Sequence, residues 1–376
     1  LEDGLYNYQA SNHELVRLWD GDHFKELQYA CGNDPALEDA HACLVFTGLL
    51  WRSAWRYQER GYRRVLLDTG HVLANLTTYA SHEEVVASPL EGFRDRDLNG
   101  LFYFDENVEA ALAAVPILPA RRPARWATNW SSPAREGAWL EATTFKDESD
   151  LRGSATLALH EASACADPSP AEGPGEPASS ELAIPLAPPV AMDESIPKTI
   201  LKRRSARGYQ EKPIDFDVLG RACGYALCRD DDATWLPPTR AGGLLDLHIV
   251  AFEVNGLDAG LYRVEGRGES LLPLSVGNLR ERVHQLTLGQ EITRNCAAIL
   301  VFTAPAGPAV ETYGDRAYRY LHIEAGAIGQ RFQLGAAAQD LAACGVGGFF
   351  DDQAAALVER PTDDFVLYLV TVGVGN

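Results

Sequence analysis

The chain has 376 residues, with 33 Lys and Arg against 53 Asp and Glu, a formal charge of −20. Hydrophobic residues make up 46% and charged ones 23%, a balance that supports a sizeable core and excludes disorder throughout. So acidic a chain has no general basic face for nucleic acid or an anionic membrane, and its length suits two domains or one large one.

In chain order, a strand is expected at Gly4-Leu5-Tyr6, and HACLVFTGL around Leu44 is a short apolar, β-branched run that reads as a buried strand. From Ala164 the text becomes dense in Pro, Ala, Ser, Gly and Glu. That composition buries little and reads as a linker over 164–191, between a front part, 1–163, and a back part, 192–376. In the back part IPKTILKRRSARGYQ leads into a helix at DFDVLGRACGYALC, and LLDLHIVAFEV and CAAILVFTA follow as strands. The Ala-rich text after Tyr318 is a long buried helix, which Gly345-Val346-Gly347-Gly348 breaks. DDQAAALV is a short helix with Asp at its positive end, and FVLYLVTVGV closes as a core strand.

No apolar run approaches the roughly 18 residues of a membrane span, and no secretory leader opens the text. The first residue is Leu rather than Met, which suits a fragment of something longer. Seven Cys without a CxxC pair point to reduced thiols in the cytoplasm, and to neither a disulfide framework nor a zinc site. The nine His show no metal-ligand spacing, so no metal is expected.

The two parts repeat one another. Gly4-Leu5-Tyr6 recurs as Gly260-Leu261-Tyr262, Leu44-Val45-Phe46-Thr47 as Leu300-Val301-Phe302-Thr303, and Gly92-Phe93 as Gly348-Phe349. Tyr57, Arg60, Tyr62 and Arg63 recur as Tyr313, Arg316, Tyr318 and Arg319. Every pair lies 256 positions apart, an unbroken offset that marks a tandem duplication. The text between the linker and Gly260 has no equivalent ahead of Gly4, so the front copy lacks its first half in this chain.

Two local features carry chemistry. Lys202, Arg203, Arg204, Ser205 and Arg207 gather four cations and a hydroxyl within six residues of an acidic protein. They read either as a solvated basic helix end or as an anion site, since guanidinium forks match phosphate oxygens. Gly345 to Gly348 read either as a helix cap or as backbone that a flat ligand can approach. No phosphate-loop or dinucleotide fingerprint is present.

Together the RRSxRxY text, the GLY strand, the RxYR segment and the Gly-rich turn before Phe349 resemble the FMN-dependent nitroreductase superfamily, specifically its SagB-type (SagB/ThcOx) dehydrogenase branch. The resemblance implies an α+β, nitroreductase-like fold, a mostly antiparallel central sheet packed between helices. It implies that Arg203, Arg204, Ser205 and Arg207 hold the phosphate, ribityl chain and pyrimidine edge of FMN. Gly345, Val346, Gly347 and Gly348 would pass along the isoalloxazine ring, while Asp68 and His71 lie on the helix that faces the flavin of the other copy. Thr239 and Arg240 take the place of a P-S-x-G-G turn that reaches across. The front copy's equivalents are the turn Pro89–Phe93 and the cations Arg121, Arg122 and Arg125.

The family's Lys-Tyr pair reads Arg56-Tyr57 in front and Thr312-Tyr313 behind, so Tyr57 and Tyr313 are the candidate proton carriers and Arg56 a fixed cation. The expected activity is FMN-dependent oxidation of a C–H or N–H bond, such as azoline to azole in a modified peptide, with hydride passing to the flavin. Alternatives are an NAD(P)H-dependent nitro or quinone reductase and a non-catalytic scaffold. Family members are dimers, so the two copies are expected to form an intramolecular pseudo-dimer, open to further homo-oligomerisation, acting on a small-molecule or peptide substrate. At most one FMN per chain is expected, because only the back copy carries RRSxR.

Overall fold

The computed structural model of the chain describes residues 1–83, 85–87, 89–90, 92–119, 154–166, 182–189, 195–227 and 243–376. The front copy runs β1 (Gly4–Gln9), β2 (Glu14–Asp20), α1 (Phe24–Ala30), β3 (Ala42–Leu49), α2 (Leu50–Tyr57), α3 (Arg60–His82), β4 (Val85–Ala87), α4 (Asp95–Leu101) and β5 (Glu109–Pro119). Then come α5 (Ala155–Ala162) and β6 (Ile184–Pro185). The back copy opens with α6 (Ile196–Lys202), β7 (Ile214–Asp215), α7 (Phe216–Leu227), β8 (Asp246–Ala251) and β9 (Val254–Asn255). It continues with β10 (Gly260–Glu265), β11 (Ser270–Val276), α8 (Arg280–Leu286), β12 (Ala298–Ala304), α9 (Ala306–Tyr313), α10 (Ala317–Ala337), β13 (Ala342–Val346), α11 (Asp351–Leu357) and β14 (Phe365–Gly373).

This is an α+β fold of the nitroreductase kind. Its main sheet has seven strands in the order β13-β14-β12-β8-β10-β11-β6, antiparallel at every pairing. The elements from β10 to β14 repeat those from β1 to β5 at the spacing of 256 residues read in the sequence. The backbone repeats too. Gln58 and Gly314 share a positive φ (50° and 58°), as do Asn33 and Gly289 (57° and 65°).

The front copy has no counterpart of β8 among the described residues, and its sheet is accordingly split. β3 pairs only with β5, in the order β3-β5-β4, and β1-β2 stand as a separate hairpin. The expectation that HACLVFTGL is buried is therefore corrected. Leu44 is 40% exposed, whereas Leu300, its equivalent in β12, is 0% exposed. The local text is the same, and the missing neighbouring strand makes the difference. A second adjustment concerns the Pro-rich stretch, where Ile184 and Pro185 add an edge strand to β11 and Leu186 is buried.

The two copies meet through α3 and α10. Tyr62, Leu66 and Leu73 of α3 share a core cluster with Leu112 and Val115 of β5 and with Ile323 and Ala327 of α10. Helix α10 is buried almost all round. Gly70 lies against the backbone of Ile323, and Gly326, its equivalent, against Leu67. A Cβ at either glycine would strike a carbonyl oxygen, so the close helix approach depends on both. Tyr62 and Tyr318 stack between them with ring centroids 6.3 Å apart.

Two ionic clamps repeat about the same axis. Arg60 and Arg63 of the front copy bind Asp351, and Arg316 and Arg319 of the back copy bind Asp95. Only the Asp95 clamp is sealed. Asp95 accepts the Cys165 N–H at 2.7 Å, and Arg319 also donates to Ser163 Oγ at 2.9 Å and faces His160. Helix α5 thereby closes over this end. Among the described residues, no helix is long and apolar enough to cross a membrane.

Candidate active site

Past the end of α6 the chain turns extended, and Arg203 to Tyr209 runs beside β13. Ser205 bridges Ala343 in a parallel sense, and the Ala206 N–H donates to the Ala343 carbonyl at 3.0 Å. Tyr209 anchors the far end, buried, with its hydroxyl 2.7 Å from Thr371 Oγ1. This docking delivers the basic text to the mouth of a cleft. Arg203 is partly buried and donates to Gln333 Oε1 at 3.3 Å. Arg204 turns back on the carbonyls of Leu201 and Arg203, at 2.5 and 2.9 Å. Ser205 and Arg207 are exposed, and Lys202 faces away to Asp340.

The floor is β13 and the glycines that follow it. Read in the sequence as a turn, Gly345-Val346 instead continue the strand, paired with Val370 and Leu369 of β14. Only Gly347 and Gly348 leave the sheet. The correction has a steric basis: a Cβ at Gly345 would collide with the Tyr368 hydroxyl of β14, so glycine there lets the strands pair. The Gly348 carbonyl accepts from Gln290 Nε2 at 2.7 Å, which fixes the turn.

The opposite wall comes from the front copy, on α3. His71 stands between Gln330 Oε1 (2.8 Å from Nδ1) and the Tyr368 hydroxyl (3.0 Å from Nε2). Gln330 in turn donates to Asn75 at 2.8 Å. Burial, with the nearby Arg203 charge, pulls the His71 pKa down to about 4, so the imidazole is neutral near pH 7. Burial pushes the Tyr368 hydroxyl up, which keeps it a donor to His71 Nε2. Asp68, a turn earlier on α3, is exposed; partial loss of solvation raises its carboxyl above the usual range, with the Arg64 charge opposing.

Arg64 is the residue that sequence reasoning missed. Its guanidinium lies over the Tyr57 ring, 4.3 Å from the centroid, and a Cβ at Gly347 would come within 2.6 Å of its Cζ. Its Nε is buried without a hydrogen-bond partner. Its equivalent in the back copy is Tyr320, so the one available signal was a departure from the repeat. Gln330 and Tyr368 were missed as well, each sitting in text that reads as plain core.

The structure brings Arg203, Arg204, Ser205, Arg207, Gly345–Gly348, Asp68, His71 and Tyr57 to one region between the copies, around Arg64, Cys344 and Tyr368. Arg56 is exposed beside them, 5.7 Å from the Tyr57 ring centroid. Tyr313 is not among them. It packs edge-on to Tyr320, 5.8 Å between centroids, at the margin of the back copy's core. Tyr57 and Tyr313 thus belong to opposite ends of the pseudo-symmetric pair. Thr239, Arg240, Arg121, Arg122 and Arg125 lie outside the described residues, as does Glu91 of the front turn.

Four buried imidazoles give the protein a defined acid response. His71 and His248 are lowered to about 4, and His160 and His322 to about 3, each chiefly by burial. Unfolding restores ordinary values near 6.5, so between those limits the unfolded chain binds more protons and stability rises with pH. Asp68 and Asp246, raised by burial, act in the opposite sense. With four imidazoles against two carboxyls, the denaturant midpoint should hold above pH 7 and fall steadily from about 6.5 towards 4. A flat profile over that window would contradict these burial assignments.

The nitroreductase family model matches residues 2–117 and 200–374. A solved nitroreductase structure from Anabaena variabilis is 32% identical over the whole of this chain, covers 78% of its own length and superposes with a TM-score of 0.82. MJ1384 of Methanocaldococcus jannaschii, named as a nitroreductase, is 24% identical over 176 residues, which is 46% of this chain and 88% of that protein.

Proposed function

The chain belongs to the nitroreductase family of oxidoreductases, and from that premise we propose that it is an FMN-dependent dehydrogenase of the SagB type, its two copies forming an intramolecular pseudo-dimer. One observation carries the reading: an arginine-rich segment of the back copy is docked against a glycine floor, under a polar helix of the front copy. The cleft fits the cofactor. Arg203, Arg204, Arg207 and Ser205 are a phosphate-binding donor set. Gly347 and Gly348 leave the sheet beside the Arg64 guanidinium. The orphaned Arg64 Nε supplies a donor for an acceptor brought in by a ligand.

When bound, FMN accepts or gives a hydride, and the protein sets its position and surroundings. The other roles fall to this chain's own groups. The arginines and Ser205 hold the anionic end. Neutral His71, locked by Gln330 and Tyr368, shapes the wall without carrying a charge near pH 7. Tyr57 offers its Oη for proton transfer to or from the substrate, with the Arg64 guanidinium packed over its ring. Arg56 stays charged and serves as a fixed cation.

A second reading, an NAD(P)H-driven nitro or quinone reductase, is favoured by one departure. The Lys of the family's Lys-Tyr pair is Arg56 here and Thr312 in the back copy, which weakens the case for azoline chemistry.

The test is a titration with FMN followed by anaerobic mixing with an azoline-bearing peptide or with NAD(P)H. The expected result is a bound-flavin spectrum that the peptide bleaches, slowed by Tyr57→Phe roughly 10²–10⁴-fold, the usual scale of acid–base assistance. Bleaching by NAD(P)H alone selects the reductase reading. Failure to bind FMN removes both.

A further inference from the structure

Helix α8 ends on a residue that its backbone does not favour. Leu288 stands in the left-handed region, at φ 62°. Its N–H donates to the Gln285 carbonyl at 3.1 Å, and the Gly289 N–H donates to the His284 carbonyl at 2.9 Å. Such a capping turn usually carries glycine at the place of Leu288. The repeat supplies the comparison. Gly32, 256 positions earlier, has φ 68°, and the two bonds recur from Gly32 to Tyr29 and from Asn33 to Gln28. The front copy thus makes the same turn with the residue that suits it. Of the seven non-glycine residues with positive φ among the described residues, only Leu288 is aliphatic, and a bulky side chain there is an outlier.

Burial does not offset the strain. Leu288 is 55% exposed, so folding removes little of its apolar surface from water. Phe350 departs from the repeat in the same sense. It is 48% exposed where the front copy has Arg94, and its N–H donates to the carbonyl of Leu286, two residues before Leu288. Leu288 also lies against the glycine turn. A Cβ at Gly348 would stand 3.5 Å from Leu288 Cδ1, and Gln290 Nε2 ties the same loop to the Gly348 carbonyl at 2.7 Å. Both exposed apolar groups therefore belong to the copy that carries RRSxR, at the turn expected to pass along the flavin ring.

We propose that Leu288 is a specificity-determining residue, whose side chain takes an apolar group of the substrate at the Gly347–Gly348 turn. A side chain that is unfavourable in both backbone and exposure gains its use from a ligand rather than from folding. This assignment rests on the flavin reading and narrows its substrate class to a peptide with an apolar residue next to the reacting ring. The neighbouring position of the turn is cationic, since Arg64 lies against Gly347. Selection for apolar groups accordingly falls to Leu288.

The probes are two thiazole-bearing peptides, the oxidised form that does not turn over, identical except for Phe or Ala before the ring. Calorimetry on the FMN-loaded chain should find the Phe peptide bound about ten-fold tighter. Leu288→Gly should bind both alike, at the parent's affinity for the Ala peptide, with FMN affinity unchanged. A second readout needs no ligand. In the chain without FMN, Leu288→Gly should hold or raise the denaturant midpoint, and Gly32→Leu should lower it. A parent chain that binds FMN but does not distinguish the peptides would overturn the proposal. So would a Leu288→Gly variant that keeps the preference, loses FMN affinity or unfolds at lower denaturant. A parent chain without bound-flavin absorbance after the titration would remove the flavin reading itself, and the proposal with it.

Discussion

Replacing Arg203 or Arg207 with Ala should weaken FMN binding by about 1.5–3 kcal/mol each, roughly ten- to a hundred-fold, the range for hydrogen bonds to charged groups. The expectation follows from how the cluster is held. Ser205 and Ala206 are tied to Ala343 and Tyr209 to Thr371, so the segment is in place before any ligand arrives. Arg203 has one long bond to a neutral amide and Arg207 projects into solvent, which leaves both forks available. Lys202 is the internal control. It is paired with Asp340 and half exposed, outside the cleft, and Lys202→Ala should change FMN affinity little. Equal effects at all three positions would reduce the cluster to a general positive field.

Asp95→Ala should cost about 3–5 kcal/mol of stability, because it strands two guanidinium groups in the interior. Arg316 and Arg319 are 7% and 1% exposed, and Asp95 accepts from both, at 2.5 Å from Arg316. These arginines hold the Asp95 carboxyl below its ordinary range. Its contribution is therefore present above about pH 4 and is lost as pH falls through the lowered value. The repeat supplies a matched comparison. Asp351 binds Arg60 and Arg63 in the same arrangement but is 32% exposed. Asp351→Ala should cost only about 1 kcal/mol or less, as solvent takes over the freed cations. Denaturant midpoints of the two variants measure the difference. Equal losses would mean that burial by α5, with His160 and Ser163, does not decide the energetics.

The fold class was legible where order and spacing carry the information. The run Arg203-Arg204-Ser205-Ala206-Arg207, the glycines at 345–348 and the helix bearing Asp68 and His71 lie far apart in the text, yet they converge in the structure. The unbroken offset between Gly4 and Gly260 matches the positions of the corresponding strands. What was illegible depends on neighbours rather than on local text. β3 and β12 share Leu-Val-Phe-Thr, and no window of sequence tells that, among the described residues, β12 has strands on both sides and β3 on one. Arg64 was hidden because the motif ends at Arg63 and the repeat has Tyr320 in its place. Gly345 read as a turn because the Tyr368 hydroxyl that requires glycine there belongs to a strand 23 residues further on. The pairing of Ile184 and Pro185 with β11 is too short to show against a Pro-rich background.

The central claim is that one flavin site is assembled between the copies, on the only RRSxR segment in the chain. Its most direct test is the amount of FMN released by heat from the reconstituted protein. We predict one FMN per chain, and none in the Arg203→Ala/Arg207→Ala double variant under the same conditions. Two FMN per chain, or one that survives the double substitution, would contradict the account.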